Sequence, residues 1–178
     1  QRYRFAARQT SGRRVLEIGC GAGLGLGWLA EQAASVIGGD CTERLLSQAR
    51  AHYGERLPLV RFDAHDLPFA EASFDAILLF ETVYYFRDLQ RVLREGRRAL
   101  SERGVLIVSS VNPEWSGFSP SSLSTDYVSV SGLCDSVKRV GFTSCECFGG
   151  FPAIEGSVRD KVVNAIRGIA ATLHLIPT

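Results

Sequence analysis

The chain has 178 residues, which is enough for one domain with a continuous buried core. Its 20 basic and 19 acidic side chains nearly cancel, so the sequence shows no charge bias toward nucleic acid or an acidic surface. It has no apolar run near the roughly 20 residues that span a bilayer, and no signal-peptide core at its N-terminus. The sequence contains no methionine, not even at position 1, and is expected to be a trimmed fragment.

Five cysteines bear on the cellular compartment and on metal binding: Cys20, Cys41, Cys134, Cys145 and Cys147. Their number is odd and no Cys-x-x-Cys spacing occurs, which argues against a zinc site and against a disulfide framework. We therefore expect no metal and a reducing, cytoplasmic location. Cys145 and Cys147 stand two apart in a predicted strand, and we interpret them as core or edge thiols rather than ligands.

Strand-like and helix-like segments alternate along the chain. The predicted strands are 14–18, 35–39, 59–62, 74–80 and 105–111, and the predicted helices are 24–34, 43–53, 89 to about 104, and 129–140. Thr42 is the predicted N-cap of the second helix. Strands that alternate with helices predict an open α/β fold with a parallel sheet. Ligands of such sheets bind beyond the carboxyl ends of the strands.

The last third of the chain changes in character. Residues 112–126 are rich in serine and typical of a long surface loop, and 143–148 form a further predicted strand. Apolar residues then recur at helical spacing over 155–175. This stripe packs on its own domain or, alternatively, forms a lid or a surface for a partner or a membrane. We expect residues 1–150 to form the core and 151–178 a helical extension of the same domain.

The most informative segment is Val-Leu-Glu-Ile-Gly-Cys-Gly-Ala-Gly, from Val15 to Gly23, in which an apolar strand leads into alternating glycines. Glycine permits a tight turn and a close approach of the backbone to a ligand. Glu17 adds a fixed negative charge just before the turn. This charge would repel a pyrophosphate and would favour a ligand that carries hydroxyls, an ammonium or a sulfonium.

Two further carboxylates follow predicted strands. Asp40 lies about 20 residues beyond the turn, where an acidic side chain accepts hydrogen bonds from both hydroxyls of a ribose. Asp63 opens the run 63–69, and a carboxylate followed by a backbone N–H matches the amine and ring nitrogen of adenine. The three anchors together predict a site for an adenosine whose far end is not a phosphate. The simpler alternatives are a helix cap for Asp40 and a turn former for Asp63.

These segments, together with 73–81, resemble in order and spacing the successive motifs of class I S-adenosylmethionine-dependent methyltransferases. The resemblance covers about residues 1–150. It implies a Rossmann-like, open, mostly parallel sheet of about seven strands with helices on both faces, although the last strand of that pattern is not evident before Thr178. It also implies S-adenosylmethionine as the cofactor, S-adenosylhomocysteine as the product, and methyl transfer as the reaction.

The resemblance implies a role for each motif position. The glycine turn and Glu17 surround the methionine part of the cofactor, Asp40 holds the ribose, and Phe80 offers its backbone. The implied cofactor-binding residues are Tyr3, Glu17, Gly19, Cys20, Gly21, Gly23, Asp40, Cys41, Asp63, Ala64, His65 and Phe80. Within this set, His65 is interpreted as a solvated loop residue rather than a base.

In-line methyl transfer needs mainly alignment and exclusion of water, and a general base only for an acceptor such as a hydroxyl. The predicted catalytic residues are Glu81, Tyr84 and Tyr85, which follow the fourth strand. Glu81 is the candidate base or substrate-orienting group, and Tyr85 stands where many relatives carry His.

The predicted acceptor is a small molecule, such as a sugar, a lipid-linked intermediate or a secondary metabolite, and we expect O-methylation before N- or C-methylation. The neutral charge argues against nucleic acid as the substrate. Asn112, Glu114 and Trp115 follow the fifth strand and are candidates for shaping the acceptor pocket.

Three alternatives stay open. A nicotinamide-dependent oxidoreductase shares the glycine turn and the ribose acid, but Leu24 stands where its third glycine belongs. A non-catalytic regulatory module that binds S-adenosylmethionine would keep the same anchors. An aminopropyl transferase would need an acidic amine-binding set, which is not apparent after the fourth strand. Fold alone does not separate these functions.

Overall fold

A computed structural model describes residues 2–115 and 117–149. The predicted extension at 151–178 lies outside the described residues, as does the apolar stripe within it. In the described part of the chain, no helix is both long and apolar enough to cross a bilayer.

The described residues form a parallel sheet flanked by helices. The strands are β1 (Arg14–Ile18), β2 (Ser35–Asp40), β3 (Leu59–Arg61), β4 (Phe74–Phe80) and β5 (Leu100–Ser109). The helices are α1 (Arg2–Gln9), α2 (Leu26–Ala30), α3 (Glu43–Tyr53), α4 (Leu89–Ala99) and α5 (Val130–Arg139), with single 3₁₀ turns at Gly54–Arg56 and Val83–Tyr85. The strand order is β3-β2-β1-β4-β5, and every pair is parallel. The predicted open α/β fold is confirmed, with five strands in the described residues.

The central strands are buried on both faces, and their alternating side chains divide the core into two layers. Leu16 and Ile77 face the layer that includes side chains of α4 and α5. Val15 and Leu78 face the opposite layer, which includes side chains of α1, α2 and α3. Because side chains alternate along a strand, Glu17 lies on the same side as Val15, beneath α1.

Three predicted elements differ from the structure. The helix predicted at 24–34 has only five residues, because the glycine turn extends as far as Gly25. The helix expected to end near Gly104 ends at Ala99, since Leu100 already pairs with Phe74 in the sheet. Residues 143–148 form no strand, because none of the described strands offers them a ladder partner.

The cysteines also differ from expectation. Cys134 and Cys145 form a disulfide, although the odd count and the spacing argued against a disulfide framework. The segment after α5 turns back toward that helix and brings the two Cα atoms to 6.0 Å. This fold-back depends on tertiary packing and has no signature in the spacing of the cysteines.

Two glycines give opposite predictions for stability. Gly96 lies inside α4, where an added Cβ would meet nothing within 4 Å. We expect Gly96→Ala to raise the free energy of unfolding by about 0.5–1 kcal/mol, because alanine favours a helix.

At Gly39 in β2, a Cβ would lie 2.0 Å from the ring of Phe62. Gly39→Ala should lower the free energy of unfolding by about 1–3 kcal/mol. Urea denaturation of both variants measures these changes, and a loss of stability in Gly96→Ala would contradict the described packing of α4.

Candidate functional site

The turn after β1 depends on three glycines with positive φ: 76° at Gly19, 56° at Gly21 and 77° at Gly23. L side chains rarely adopt this backbone region, whereas glycine does so without steric cost. The N–H groups of Gly19 and Cys20 both donate to the carbonyl of Gly39, at 2.7 and 3.0 Å. The turn is therefore fixed against the carboxyl end of β2, as the motif predicts.

Two residues that the sequence argument missed also shape this turn. Tyr53 of α3 donates its hydroxyl to the carbonyl of Gly23 at 2.7 Å. Thr82, which follows β4, packs so closely on Gly19 that an added Cβ there would lie 2.2 Å from the Thr82 Cγ2. Tyr53 lies 30 residues from the turn along the chain, so no local pattern indicates its role.

Asp40 connects the turn to the segment after β2. Its Oδ2 accepts a hydrogen bond from the N–H of Gly21 at 2.9 Å, and its Oδ1 accepts one from the N–H of Thr42 at 2.8 Å. Each carboxylate oxygen has a second lone pair, so both can still accept from a ribose diol. Thr42 is the N-cap of α3, but its side chain makes no capping bond. Asp40 bonds the N–H of the N-cap residue and none of the first N–H groups of α3, so it is not the capping group of this helix among the described residues.

The glycine turn, Glu17, Asp40 and Thr82 line a cradle at the carboxyl ends of the central strands. Glu17 is its most deeply buried ionisable group, with 1% of its surface exposed. Its Oε1 accepts a hydrogen bond from the hydroxyl of Tyr3 at 2.5 Å, and its Oε2 has no partner. Burial raises the pKa of Glu17 to about 7, although the bond from Tyr3 and the charge of Arg2 oppose the shift. Burial therefore opposes ionisation of Glu17, and the fixed negative charge expected from the sequence stays a prediction.

Tyr3 brings α1 over the cradle. Its ring meets Phe80 edge-on, with 5.0 Å between the ring centroids. Burial, together with the nearby Glu17, raises the pKa of the Tyr3 phenol, which therefore stays protonated and donates its hydrogen bond. Tyr3, Glu17 and Phe80 are brought together as the sequence predicts.

The two cysteines of the predicted set face different environments. Cys20 is buried, and its Sγ packs against Gly38, where an added Cβ would lie 3.1 Å from the sulfur. The thiol also donates to the carbonyl of Gly21 in the turn at 3.8 Å, and burial raises its pKa. Cys41 is exposed beside the end of β2, in the position expected for a side chain that packs on adenine.

The segment after β3 holds Asp63, Ala64 and His65. Asp63 Oδ1 accepts from the backbone N–H of His65 at 2.9 Å and lies 2.6 Å from His65 Nδ1. These contacts lower the pKa of Asp63, with the backbone hydrogen bond as the largest cause. His65 Nε2 accepts from the N–H of Asp88 at 3.3 Å, so both ring nitrogens are engaged. His65 thus links Asp63 to Asp88, and its interpretation as a loop residue rather than a base stays a prediction. Ala64 is buried.

Helix α4 fixes this segment from behind. Arg91 donates to the carbonyl of His65 at 2.7 Å, and Arg98 donates to the carbonyl of Leu67 at 3.1 Å. Glu95 accepts from the N–H of Leu67 at 2.9 Å. The position of Asp63 is therefore set by a helix that begins more than 20 residues later in the sequence.

Glu81 lies just beyond β4 with a positive φ of 54°, which is unusual for a residue with a side chain. Its carboxylate accepts from the hydroxyl of Ser109 at 2.8 Å and from that of Tyr84 at 3.3 Å, and it lies 3.7 Å from Arg2. Burial, followed by the charge of Glu81, raises the pKa of Tyr84. Ser109 and Arg2 were missed by the sequence argument, because each meets Glu81 only through the fold.

The other predicted acceptor-side residues are more exposed. Tyr84 stacks on Tyr127 with 5.0 Å between centroids, and the half-exposed Tyr85 lies beside it at 4.7 Å. This packing brings the long loop at 112–126 back to the end of β4, where the N–H of Thr125 donates to the carbonyl of Tyr84 at 2.7 Å. Trp115 is exposed, and the Asn112 side chain accepts from the N–H of Glu114 while its carbonyl accepts from the N–H of Trp115.

Two buried oxygens of the cradle lack a hydrogen-bond partner in the part of the chain that the structure describes: Glu17 Oε2 and Thr82 Oγ1. Buried polar atoms are rarely left unsatisfied, and each one costs stability. A ligand that carries ammonium or hydroxyl donors would satisfy them. The hydrogen-bond acceptors of the cradle therefore fit S-adenosylmethionine, which carries both kinds of donor.

Comparison with known proteins gives the same assignment. The sequence profile described as "Methyltransferase domain" matches residues 16–108, just over half of the chain. A probable S-adenosylmethionine-dependent methyltransferase of Mycolicibacterium smegmatis is 34% identical over 110 residues, covering 62% of this chain and 42% of the relative. A ubiquinone biosynthesis O-methyltransferase of Mesorhizobium japonicum is 30% identical over 126 residues, covering 69% and 51%.

Among solved structures, an S-adenosylmethionine-dependent methyltransferase from Mesorhizobium loti matches with a TM-score of 0.71 at 23% identity, covering 90% of this chain and 89% of that chain. At this identity the likeness shows the fold. The present chain spans about 40–50% of the length of the two curated relatives. The matched profile, the conformation of the glycine turn and the parallel sheet agree, and the chain belongs to the class I S-adenosylmethionine-dependent methyltransferases with a Rossmann-like fold.

Proposed function

We propose that this protein transfers a methyl group from S-adenosylmethionine to a hydroxyl of a small-molecule acceptor. The observation that carries the proposal is the cradle of Asp40, Glu17 and the glycine turn, which combines two engaged carboxylates with an unsatisfied buried oxygen at Glu17. S-adenosylmethionine supplies an activated methyl group on a sulfonium. The residues of this chain bind it, orient the acceptor and exclude water.

The cofactor side uses residues from three strand ends. Asp40 accepts the ribose hydroxyls, and Glu17 with the glycine turn holds the methionine end. Asp63 and Ala64 take the adenine edge, while Cys41 packs beside it. Tyr3 of α1 covers the cradle above Glu17. These assignments follow the family motifs and the proximity of the residues to the carboxyl ends of the parallel strands.

The acceptor side is centred on Glu81. Its carboxylate accepts from Ser109 and Tyr84 and lies near Arg2, so the network fixes its orientation. The positive φ of Glu81 adds strain, which at a site of function is held by the surrounding structure. A carboxylate held in this way is suited to accept a proton from a hydroxyl acceptor as the methyl group is transferred.

The choice of oxygen as the acceptor atom rests on two supports. A hydroxyl keeps its proton near neutral pH and so benefits from a base at Glu81. One of the relatives is named as an O-methyltransferase that acts in ubiquinone biosynthesis. The balanced charge of the chain supports a small molecule rather than nucleic acid, and the cytoplasmic location stays a prediction.

The first prediction from the proposed function concerns cofactor binding. We expect calorimetric titration to detect binding of S-adenosylhomocysteine and none of NAD. Asp40→Ala should weaken S-adenosylhomocysteine binding at least about tenfold, because each hydrogen bond to a charged group contributes about 1.5–3 kcal/mol. Asp66→Ala is the matched control, since Asp66 is exposed and makes no side-chain hydrogen bond among the described residues. Binding of NAD alone would overturn the proposed function.

The second prediction uses the titration of Glu17. Its pKa rises from 4.5 to about 7 in the folded protein, so the folded state binds the proton more tightly than the unfolded chain. This contribution to stability is fully present below about pH 4.5 and is lost as the pH rises through about 7.

A ligand with a positive charge near Glu17 favours the carboxylate and must displace this proton. The affinity for S-adenosylhomocysteine should therefore rise as the pH increases from about 6 to about 8. Glu17→Gln should remove the pH dependence, while the exposed Glu31→Gln should retain it. Calorimetry across this range measures the slope, and an unchanged slope in Glu17→Gln would show that another group is responsible.

The third prediction concerns Glu81. In a labelled-methyl transfer screen over pooled small metabolites, the wild-type chain should methylate a hydroxyl acceptor. Glu81→Gln should lower kcat about 10²–10⁴-fold, the usual contribution of a general base. Its affinity for S-adenosylhomocysteine should stay within about twofold of wild type, because Glu81 is assigned to the acceptor side.

The control is Glu102→Gln, which changes an exposed carboxylate in β5. Full activity in Glu81→Gln would remove Glu81 from the chemistry and leave only the cofactor assignment.

A further inference from the structure

Three cysteine sulfurs come together away from the cofactor cradle. Cys134 lies in α5, and Cys145 and Cys147 lie in the segment that follows. The three Sγ atoms all lie within 4.8 Å of one another. Cys134 is bonded to Cys145, and its Sγ is 3.4 Å from that of Cys147. None of these residues takes part in the proposed methyl transfer.

One of the three sulfur separations is close to that of tetrahedral metal coordination. Zinc binds cysteine sulfur at about 2.3 Å, which places two sulfurs of one tetrahedron about 3.8 Å apart. The separation of 3.4 Å between Cys134 and Cys147 is close to this value. Cys147 is exposed, so rotation of its side chain can adjust the distance. Thiolates are soft ligands that select zinc over magnesium or calcium.

The ligand set consists of the three sulfurs alone. In the described residues, no His or carboxylate joins the three sulfurs. Three thiolates would therefore occupy three positions of the tetrahedron and leave the fourth for water or another donor.

We propose that Cys134, Cys145 and Cys147 bind one zinc ion when the disulfide is reduced. A dithiol reductant gives two electrons and two protons to the bond between Cys134 and Cys145 and is itself oxidised to a disulfide. The two cysteines become thiols. Zinc then replaces the three thiol protons, which pass to solvent.

The position of the cluster gives the metal a structural role. The segment at 143–148 has no strand partner among the described residues, so a metal link to α5 would hold it in place. Phe148, which follows Cys147, lies against Phe5 of α1 with 5.3 Å between ring centroids. Zinc bound to the three cysteines would therefore hold Phe148 in place against α1, the helix that carries Tyr3.

The test uses the full chain, prepared without a histidine tag and reduced with a phosphine under nitrogen. After addition of zinc and removal of the excess, elemental analysis should find about one zinc per chain. Cys134→Ser and Cys147→Ser should each lower this to about none, because serine does not replace a thiolate ligand. Cys41→Ser, which removes an exposed thiol outside the cluster, should retain the metal.

Two further measurements keep the proposal testable if a serine variant folds poorly. Cobalt added to the reduced wild-type chain should give the visible absorption and the sulfur-to-metal charge-transfer bands of a tetrahedral thiolate site. Zinc should raise the Tm of the reduced wild type, because a ligand that binds only the folded state stabilises it.

Retention of no zinc by the reduced wild type would overturn the proposal. Equal zinc in wild type and Cys147→Ser would do the same. In either case the cluster would be a redox pair of Cys134 and Cys145 only.

Discussion

The carboxylate of Asp40 joins the two chain segments from which the site is built. It binds the N–H of Gly21 in the turn after β1 and the N–H of Thr42 before α3. The carbonyl of Gly39, one residue earlier, binds the other side of the same turn. The carboxyl ends of β1 and β2 are thereby held at one fixed separation. The ligand-binding groups depend on this link, because a turn of glycines has little conformational preference of its own.

The second constraint is the burial of Glu17. A carboxyl group removed from water is costly to ionise unless it is paired, and the one partner in the described residues is the neutral phenol of Tyr3. The second oxygen stays unsatisfied. A cationic ligand beside Glu17 would favour the carboxylate form and would supply the missing hydrogen bond, so this side chain is the proposed source of affinity for the charged end of the cofactor.

The residues proposed for the acceptor side are distant in the chain and meet only across the sheet. Glu81 follows β4, Ser109 ends β5, and Arg2 begins α1. Their convergence requires the neighbouring parallel placement of β4 and β5 and the packing of α1 over the carboxyl ends of the central strands. Tyr127, which follows the long loop, stacks on Tyr84 and places the end of that loop beside the end of β4. The proposed acceptor residues thus lie next to the cofactor residues Tyr3 and Phe80, because both sets use α1 and the carboxyl end of β4.

The sequence by itself determined the elements whose cause is local. The apolar segments predicted all five described strands, four of them to within one residue at each end and β5 with a start five residues too late. The central strands β1 and β4 were the most evident, because burial on both faces leaves a continuous apolar run. The glycine turn and Asp40 were also predictable, since each responds to a steric or hydrogen-bonding demand within one motif. Tertiary structure alone decided the partners of Glu17, Glu81 and His65, the contact of Tyr53 with the turn, and the meeting of Cys134 with Cys145. Those contacts join residues that are distant in the chain or that depend on a fold-back, so no periodicity or spacing records them.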